Sequence, residues 1–320
     1  MVGLLLKFGI VALALFFLYE QLTSRSTIDQ FNSDVVLQKI KQHYYIFIVV
    51  ILMMFLNWFL EALKWRFLIS KIEKISIGLS IRAIFSGITI AAFTPNRVGE
   101  YGGRVFCLKQ ADRMQAVLIT VIGSMAQLLT TIFFGSVGLL FLPKYNKDIS
   151  TMLLASDLSY PIIVFLLISL NAMLLFFFLN THKLSVFLSK LKCLKKYDKY
   201  NEVFSFYNSG ELARVIYYSI ARYIVFTSQF FILLHFFDVN INYSDAIVLI
   251  MVMLLMVSVI PTIAITEIGI RGSLAIFLFG LVSSNDAGIL SATFIIWIIN
   301  LLLPALIGTF FVFSLKFFRK

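Results

Sequence analysis

The chain has 320 residues, of which 60% are hydrophobic and 34 are phenylalanine, and it carries a formal charge of +11. No soluble domain of this length buries so much apolar surface, so composition points to an integral membrane protein. The basic excess does not indicate a nucleic-acid partner, because the lysines and arginines fall between apolar segments, where membrane topology accounts for them.

A helix crosses the hydrocarbon core with about 20 apolar residues. The first such run, 2–20, resembles a signal peptide but is followed by no small-residue cleavage site, and is read as a retained span. The second run is 44–63. Next comes GLSIRAIFSGITIAAF, 78–93, which at ~1.5 Å per residue is about 24 Å long, short of the ~30 Å core. It ends at Pro95, inside the polar stretch TPNRVGEYGGR (94–104). Further spans are expected at 115–142 and 158–180, and then a basic loop at 181–209. That loop satisfies the topology rule, with an amphipathic surface helix as the other reading. A span at 213–237 precedes a second interrupted region, 245–283, broken at Pro261. The last span is 287–315.

Lys and Arg concentrate after the second span (Lys64, Arg66, Lys71, Lys74, Arg82), in the basic loop and at the C-terminus, whereas 238–245 and 283–286 carry only acidic charge. Cytoplasmic loops accumulate Lys and Arg, so both termini are expected on the cytoplasmic side of the cytoplasmic (inner) membrane. An even number of crossings then separates 63 from 115. A re-entrant hairpin entering along 78–93 and returning along 104–113 meets that requirement. For 245–283, two short spans and a hairpin from outside satisfy the count equally.

The two interrupted regions echo each other. Pro95, Gly99, Glu100 and Arg104 are matched by Pro261, Glu267, Gly269 and Arg271, with Glu100 and Glu267 167 residues apart. Spans starting at 44 and 213 precede them, and spans starting at 115 and 287 follow. Units 44–142 and 213–315 therefore read as an inverted-topology repeat, the arrangement in which broken helices build transport sites near the midplane. The expected fold is an all-α polytopic membrane protein forming a single domain. It has about six full spans plus two broken or re-entrant helical elements, or eight spans.

Ionisable groups at membrane depth are costly and face a cavity or a partner. Arg97, Glu100, Arg104, Glu267 and Arg271 are therefore the candidate substrate-binding and translocation residues. The arginine fork suits a phosphate, and the glutamates suit charge balance, an amine or a proton. Pro95, Gly99, Pro261 and Gly269 are the expected structural breaks. The other reading makes Glu100–Arg104 and Glu267–Arg271 internal salt bridges that lock the hairpin tips. Gln127, Arg222, Gln229 and Asn300 are candidate pathway-lining residues, or interhelical hydrogen-bond partners. Asn57, Glu61 and Lys64 share one helix face, and Glu61–Lys64 reads as a snorkelling interfacial pair. Cys107, Cys193 and the scattered His43, His182 and His235 have no metal-ligand spacing. No catalytic residue, metal or cofactor is assigned, and no P-loop for ATP is present.

TPNRVGEYGGR and PTIAITEIGIRGSL resemble the paired motifs of the lysylphosphatidylglycerol synthase transmembrane-region family, also described as flippase-like. That family includes the membrane part of the multiple peptide resistance factor. The resemblance spans roughly 1–315 and implies movement of a lipid between leaflets through a central charged cavity. The implied partners are membrane lipids, anionic or aminoacylated phospholipid among them, with a separate synthase or a second copy of the chain as possible protein partners. The soluble synthase domain of bifunctional members is not expected, since the sequence stops at Lys320, shortly after its last span. The alternatives are a membrane glycosyltransferase or other lipid-modifying transferase using Glu100 or Glu267 as base, and a non-catalytic partner of a separate lipid synthase.

Overall fold

The computed structural model describes residues 9, 12, 16, 33–94, 97–145, 159–181, 202–260 and 264–313. Most of the expected first span, Pro95, Pro261, the body of the basic loop and the extreme C-terminus lie outside the described residues. Among the described residues there is no strand, and five helical runs are long and apolar enough to cross a membrane. They correspond to the expected spans from 44–63 onward. The protein is an all-α polytopic membrane protein.

In chain order the helices are α1 (Ser33–Gln42), α2 (Tyr44–Ile69), α3 (Ile77–Ala91), α4 (Gly99–Val105), α5 (Arg113–Phe141), α6 (Ser159–Leu179), α7 (Ser209–Phe236), α8 (Tyr243–Val259) and α9 (Ala264–Phe279). The last run is α10 (Asp286–Trp297), a π turn (Ile298–Leu302) and α11 (Leu303–Val312). The starts are written in the sequence as side-chain caps for otherwise unpaired N–H groups. Ser76 accepts from Leu79 N–H at the start of α3, and Asp112 from Met114 and Gln115 N–H at the start of α5. Asn208 and Glu211 form a reciprocal capping box on α7, and Asn285 accepts from Gly288 N–H beside α10. The π turn has a local cause. Pro304 has no N–H to offer the Asn300 carbonyl four residues earlier, so the helix rewinds by one residue there.

α2 packs along α7, and both lie at the centre, lined by α5 and the α10–α11 run. α6 is peripheral, with lipid-type residues such as Phe165, Leu166 and Ile168 exposed on its outer face. The two short apolar helices are inserted reciprocally. α3 packs on α11, at the far end of the chain, and α8 packs on α5, in the first half. Both contacts close over glycine. A methyl group added at Gly135 would meet Leu255 side-chain atoms, and one at Gly308 would meet Thr89 Oγ1 and the Phe85 carbonyl. Thr89 Oγ1 also donates to the Ala305 carbonyl at 2.8 Å.

The first interruption differs from the expected hairpin in its return limb. Helix resumes at Gly99 and stops at Val105, and the chain then reaches α5 without regular structure. Two observations explain this early, short helix. α4 crosses α3 so closely that a Cβ on Gly103 would lie 2.6 Å from Gly87 Cα, a contact that two glycines allow. Beyond it, the Glu73 carboxylate gathers the N–H groups of Lys109, Gln110 and Ala111 at 2.8–3.2 Å, holding that segment against the α2–α3 turn. The second region is a pair of short helices, α8 and α9, packed on each other. The chain leaves the helix at Ile260, whose backbone is extended, and re-enters it at Ala264.

Candidate functional site

After α3 the chain turns sharply at Thr94, whose hydroxyl accepts the Gly99 N–H at 2.9 Å. A Cβ on Gly99 would come within 2.7 Å of Ile90 and Thr94 atoms, so the turn requires glycine. Arg97 sits inside it with φ of 56°, a left-handed conformation that costs an L-residue roughly 1–2 kcal/mol. From there its guanidinium crosses to the second interrupted region. Arg97 Nη2 donates to Glu267 Oε1 at 2.8 Å. Arg271, one turn along α9, donates to the same oxygen from Nε at 2.9 Å. The motif residues of the two interruptions therefore touch directly, rather than facing each other across an open cavity.

Glu100 and Arg104, four residues apart, lie on one side of α4, which follows the turn that holds Arg97. Glu100 pairs with Arg104, and Arg104 Nη1 donates to Glu61 Oε1 at 2.8 Å. Glu61 is the hub. It also pairs with Lys64 at 2.8 Å and with Arg222. Lys64 completes its shell with the Gly123 carbonyl at 3.2 Å and Ser219 Oγ at 3.4 Å. Arg222 Nε donates to Asn57 Oδ1 at 3.0 Å and Nη1 to Gln127 Oε1 at 3.3 Å, with the guanidinium over the Trp58 ring. The ion pairs thus form two groups, Arg97 and Arg271 on Glu267 between the two interrupted segments, and Lys64, Arg104 and Arg222 on Glu61 and Glu100 between α4, α2 and α7.

Burial grades these groups. Lys64, Arg104, Glu61 and Glu267 are all under 5% exposed, whereas the Arg97 side chain is 39% exposed. Depth grades them too. Asn57 is the fourteenth residue of a 26-residue helix, Gln127 the fifteenth of 29 and Arg222 the fourteenth of 28. The Asn57–Arg222–Gln127 contact therefore lies half-way along three spanning helices. Gln229 and Asn300 join a separate, wholly buried cluster: Asn300 Nδ2 donates to Gln229 Oε1 at 2.9 Å, and Gln229 Nε2 to the Val50 carbonyl at 2.8 Å.

Two expectations change. Glu61–Lys64 is not a snorkelling surface pair, because Lys64 points into the bundle at 1% exposure. The signal for this was available: Arg222 lies mid-span and needs a counter-charge, and Glu61 is the sole carboxylate within the expected spans from 44–63 onward. Gly269 is not a break. It lies inside α9 with nothing within 4 Å of a Cβ placed on it, so it interrupts no packing and no helical hydrogen bonding. The preceding helix, α8, ends at Val259, with Ile260 in extended backbone. Gly99, by contrast, does stand at a break.

The family model for the lysylphosphatidylglycerol synthase TM region matches residues 4–308. The chain belongs to this family. Comparison with curated proteins gave no match. Membership of the lysylphosphatidylglycerol synthase membrane-region family ties the chain to membrane-lipid biochemistry. In this member the matched region takes in both interrupted elements and every residue of the two ion-pair groups.

Proposed function

We propose that the protein is a lipid flippase, moving a phospholipid or related lipid between the leaflets of the cytoplasmic membrane, with both termini in the cytoplasm. The observation that carries this reading is the pair of ion-pair groups, one joining the two interrupted segments at Arg97–Glu267 and one joining α4 to the mid-span layer of Asn57, Gln127 and Arg222. Charge at that depth is expensive in a protein that only has to fold, and it recurs where polar cargo crosses.

Supporting this reading, residues 44–142 and 213–315 behave as inverted repeats. Asn57 and Arg222 contact each other and are 165 residues apart; Glu100 and Glu267 are 167 apart, and Thr89 and Leu255 166 apart. Gly135 and Gly308 stand 173 apart, as do Gln127 and Asn300, and each glycine receives the short helix of the other half. A twofold-related pair of inserted helices lets one half rock against the other about a fixed site.

Magnitudes separate the moving part from the fixed part. Breaking a buried pair such as those on Glu61 costs roughly 3–5 kcal/mol, so the hub holds α2, α4 and α7 together through the cycle. Arg97, 39% exposed, is the most solvated member of the ion pairs, and Glu267 keeps Arg271 as a partner when Arg97 leaves, so no buried charge is stranded. Arg97–Glu267 is therefore the contact that opens to admit a headgroup. The test is leaflet accessibility in reconstituted vesicles. Protein-dependent exposure of labelled lipid from the inner leaflet is expected, and an unchanged distribution across a panel of headgroups refutes the reading.

A further inference from the structure

We infer that the site selects a headgroup bearing a phosphodiester and no compensating amine, so that an aminoacylated lipid is a poor ligand. The inference rests on the translocation reading for where the headgroup enters, and on two independent observations for what it carries.

The first is charge. Two cations, Arg97 and Arg271, share the single carboxylate Glu267, and three cations, Lys64, Arg104 and Arg222, share Glu61 and Glu100, so each group carries one excess positive charge. Two positive charges are left uncompensated in a largely desolvated region, where opposite charge is attracted far more strongly than in water. Each carboxylate already has an arginine, and Glu61 has three cationic partners. An incoming ammonium group would have to displace one of them and then sit in a net positive field. A phosphate oxyanion meets neither obstacle.

The second is hydrogen bonding. Arg104 is 3% exposed, yet its Nε–H has no acceptor among the described residues. Buried donors are nearly always paired. Arg97, more exposed and in the turn just before α4, commits one Nη atom to Glu267. The guanidinium has five donors and no acceptor, so the site is rich in N–H groups with capacity to spare. A phosphodiester supplies acceptor oxygens alone; a lysyl or alanyl ester brings further donors. The same groups read a phosphate whether it belongs to a lipid or is free in solution.

The test is equilibrium binding, which is separate from transport. The purified full-length chain in mild detergent is titrated with phosphatidylglycerol, lysylphosphatidylglycerol and phosphatidylcholine of identical acyl chains, with bound lipid counted by native mass spectrometry. Phosphatidylglycerol is expected to bind about tenfold tighter than either of the others. Arg97→Gln and Arg271→Gln should each weaken it several-fold and narrow the ratio, and Glu267→Gln should tighten it. Should a variant fail to fold, the wild-type ratio alone decides. Equal or tighter binding of the lysyl lipid, or phosphatidylcholine binding as well as phosphatidylglycerol, overturns the inference. Displacement of phosphatidylglycerol by millimolar inorganic phosphate, independent of acyl-chain length, assigns the oxyanion site to a soluble phosphate and overturns the lipid assignment. None of these outcomes touches the translocation reading, since a flippase preferring the lysyl lipid would still move lipid.

Discussion

Replacing Glu61 with glutamine removes the one carboxylate shared by Lys64, Arg104 and Arg222 while keeping the side chain's shape. Two of those contacts are 2.8 Å in length, and the three cations are 1%, 4% and 13% exposed. Each close pair is an attraction of roughly 4 kcal/mol at an effective dielectric of about 20. Neutralising Glu61 also relieves the several kcal/mol of desolvation that its own charge costs. What remains is a group of three buried cations facing Glu100 alone, one positive charge worse than before. The expected destabilisation is about 3–5 kcal/mol, the cost of stranding a buried charge. Unfolding monitored by steric trapping in bicelles measures it. The companion double variant Glu61→Gln/Lys64→Met restores the original local charge, and should recover at least about 2 kcal/mol relative to the two single changes added together. A Glu61→Gln cost below about 1 kcal/mol, the range of exposed pairs, would show that water already screens the hub and would refute the argument.

Gly103→Ala sets a Cβ 2.6 Å from Gly87 Cα, and is expected to cost about 1–3 kcal/mol by overpacking and to slow lipid movement by shifting Arg104. Gly269→Ala meets nothing within 4 Å inside α9, and should be neutral or stabilise by up to about 1 kcal/mol; the same unfolding assay compares them. The charge swap Arg97→Glu with Glu267→Arg should restore much of the transport lost in either single variant, and no recovery would mean that the 2.8 Å pair has no role in movement. In a background lacking Cys107 and Cys193, a cysteine at exposed Asn242 should react with impermeant maleimide in intact cells, and one at exposed Ser70 should not. The reverse pattern would invert the topology.

The long spans were legible because an apolar run of about 20 residues has no other use, and several helix starts because Ser76, Asp112, Asn208 and Asn285 are capping residues standing before such runs. The meeting of the two motifs was legible in outline, since Arg97, Glu100, Glu267 and Arg271 are charges that need partners at depth. The central place of Glu61 was not. Its partners come from α4 and α7, and which faces those helices turn to α2 depends on close glycine crossings such as Gly87–Gly103, which spacing along the chain does not encode. Gly269 misled for the converse reason. A glycine beside charges looks like a hinge, but an exposed helix interior accommodates it. The length of α4 likewise depends on Glu73, from the preceding turn, capturing three backbone N–H groups.

The central claim is that the contact between the two interrupted helices must open for lipid to cross. Cysteines at Val98 and Ile270, which flank the Arg97–Glu267 pair and leave both charges in place, test it directly when joined by a short reversible cross-linker in an otherwise cysteine-free chain. In vesicles carrying a labelled lipid, the un-cross-linked protein is expected to bring inner-leaflet label to the outer surface. Cross-linking should reduce exposure to that of protein-free vesicles, and cleaving the linker should restore it. Exposure that continues unchanged with the two positions locked together would contradict the account.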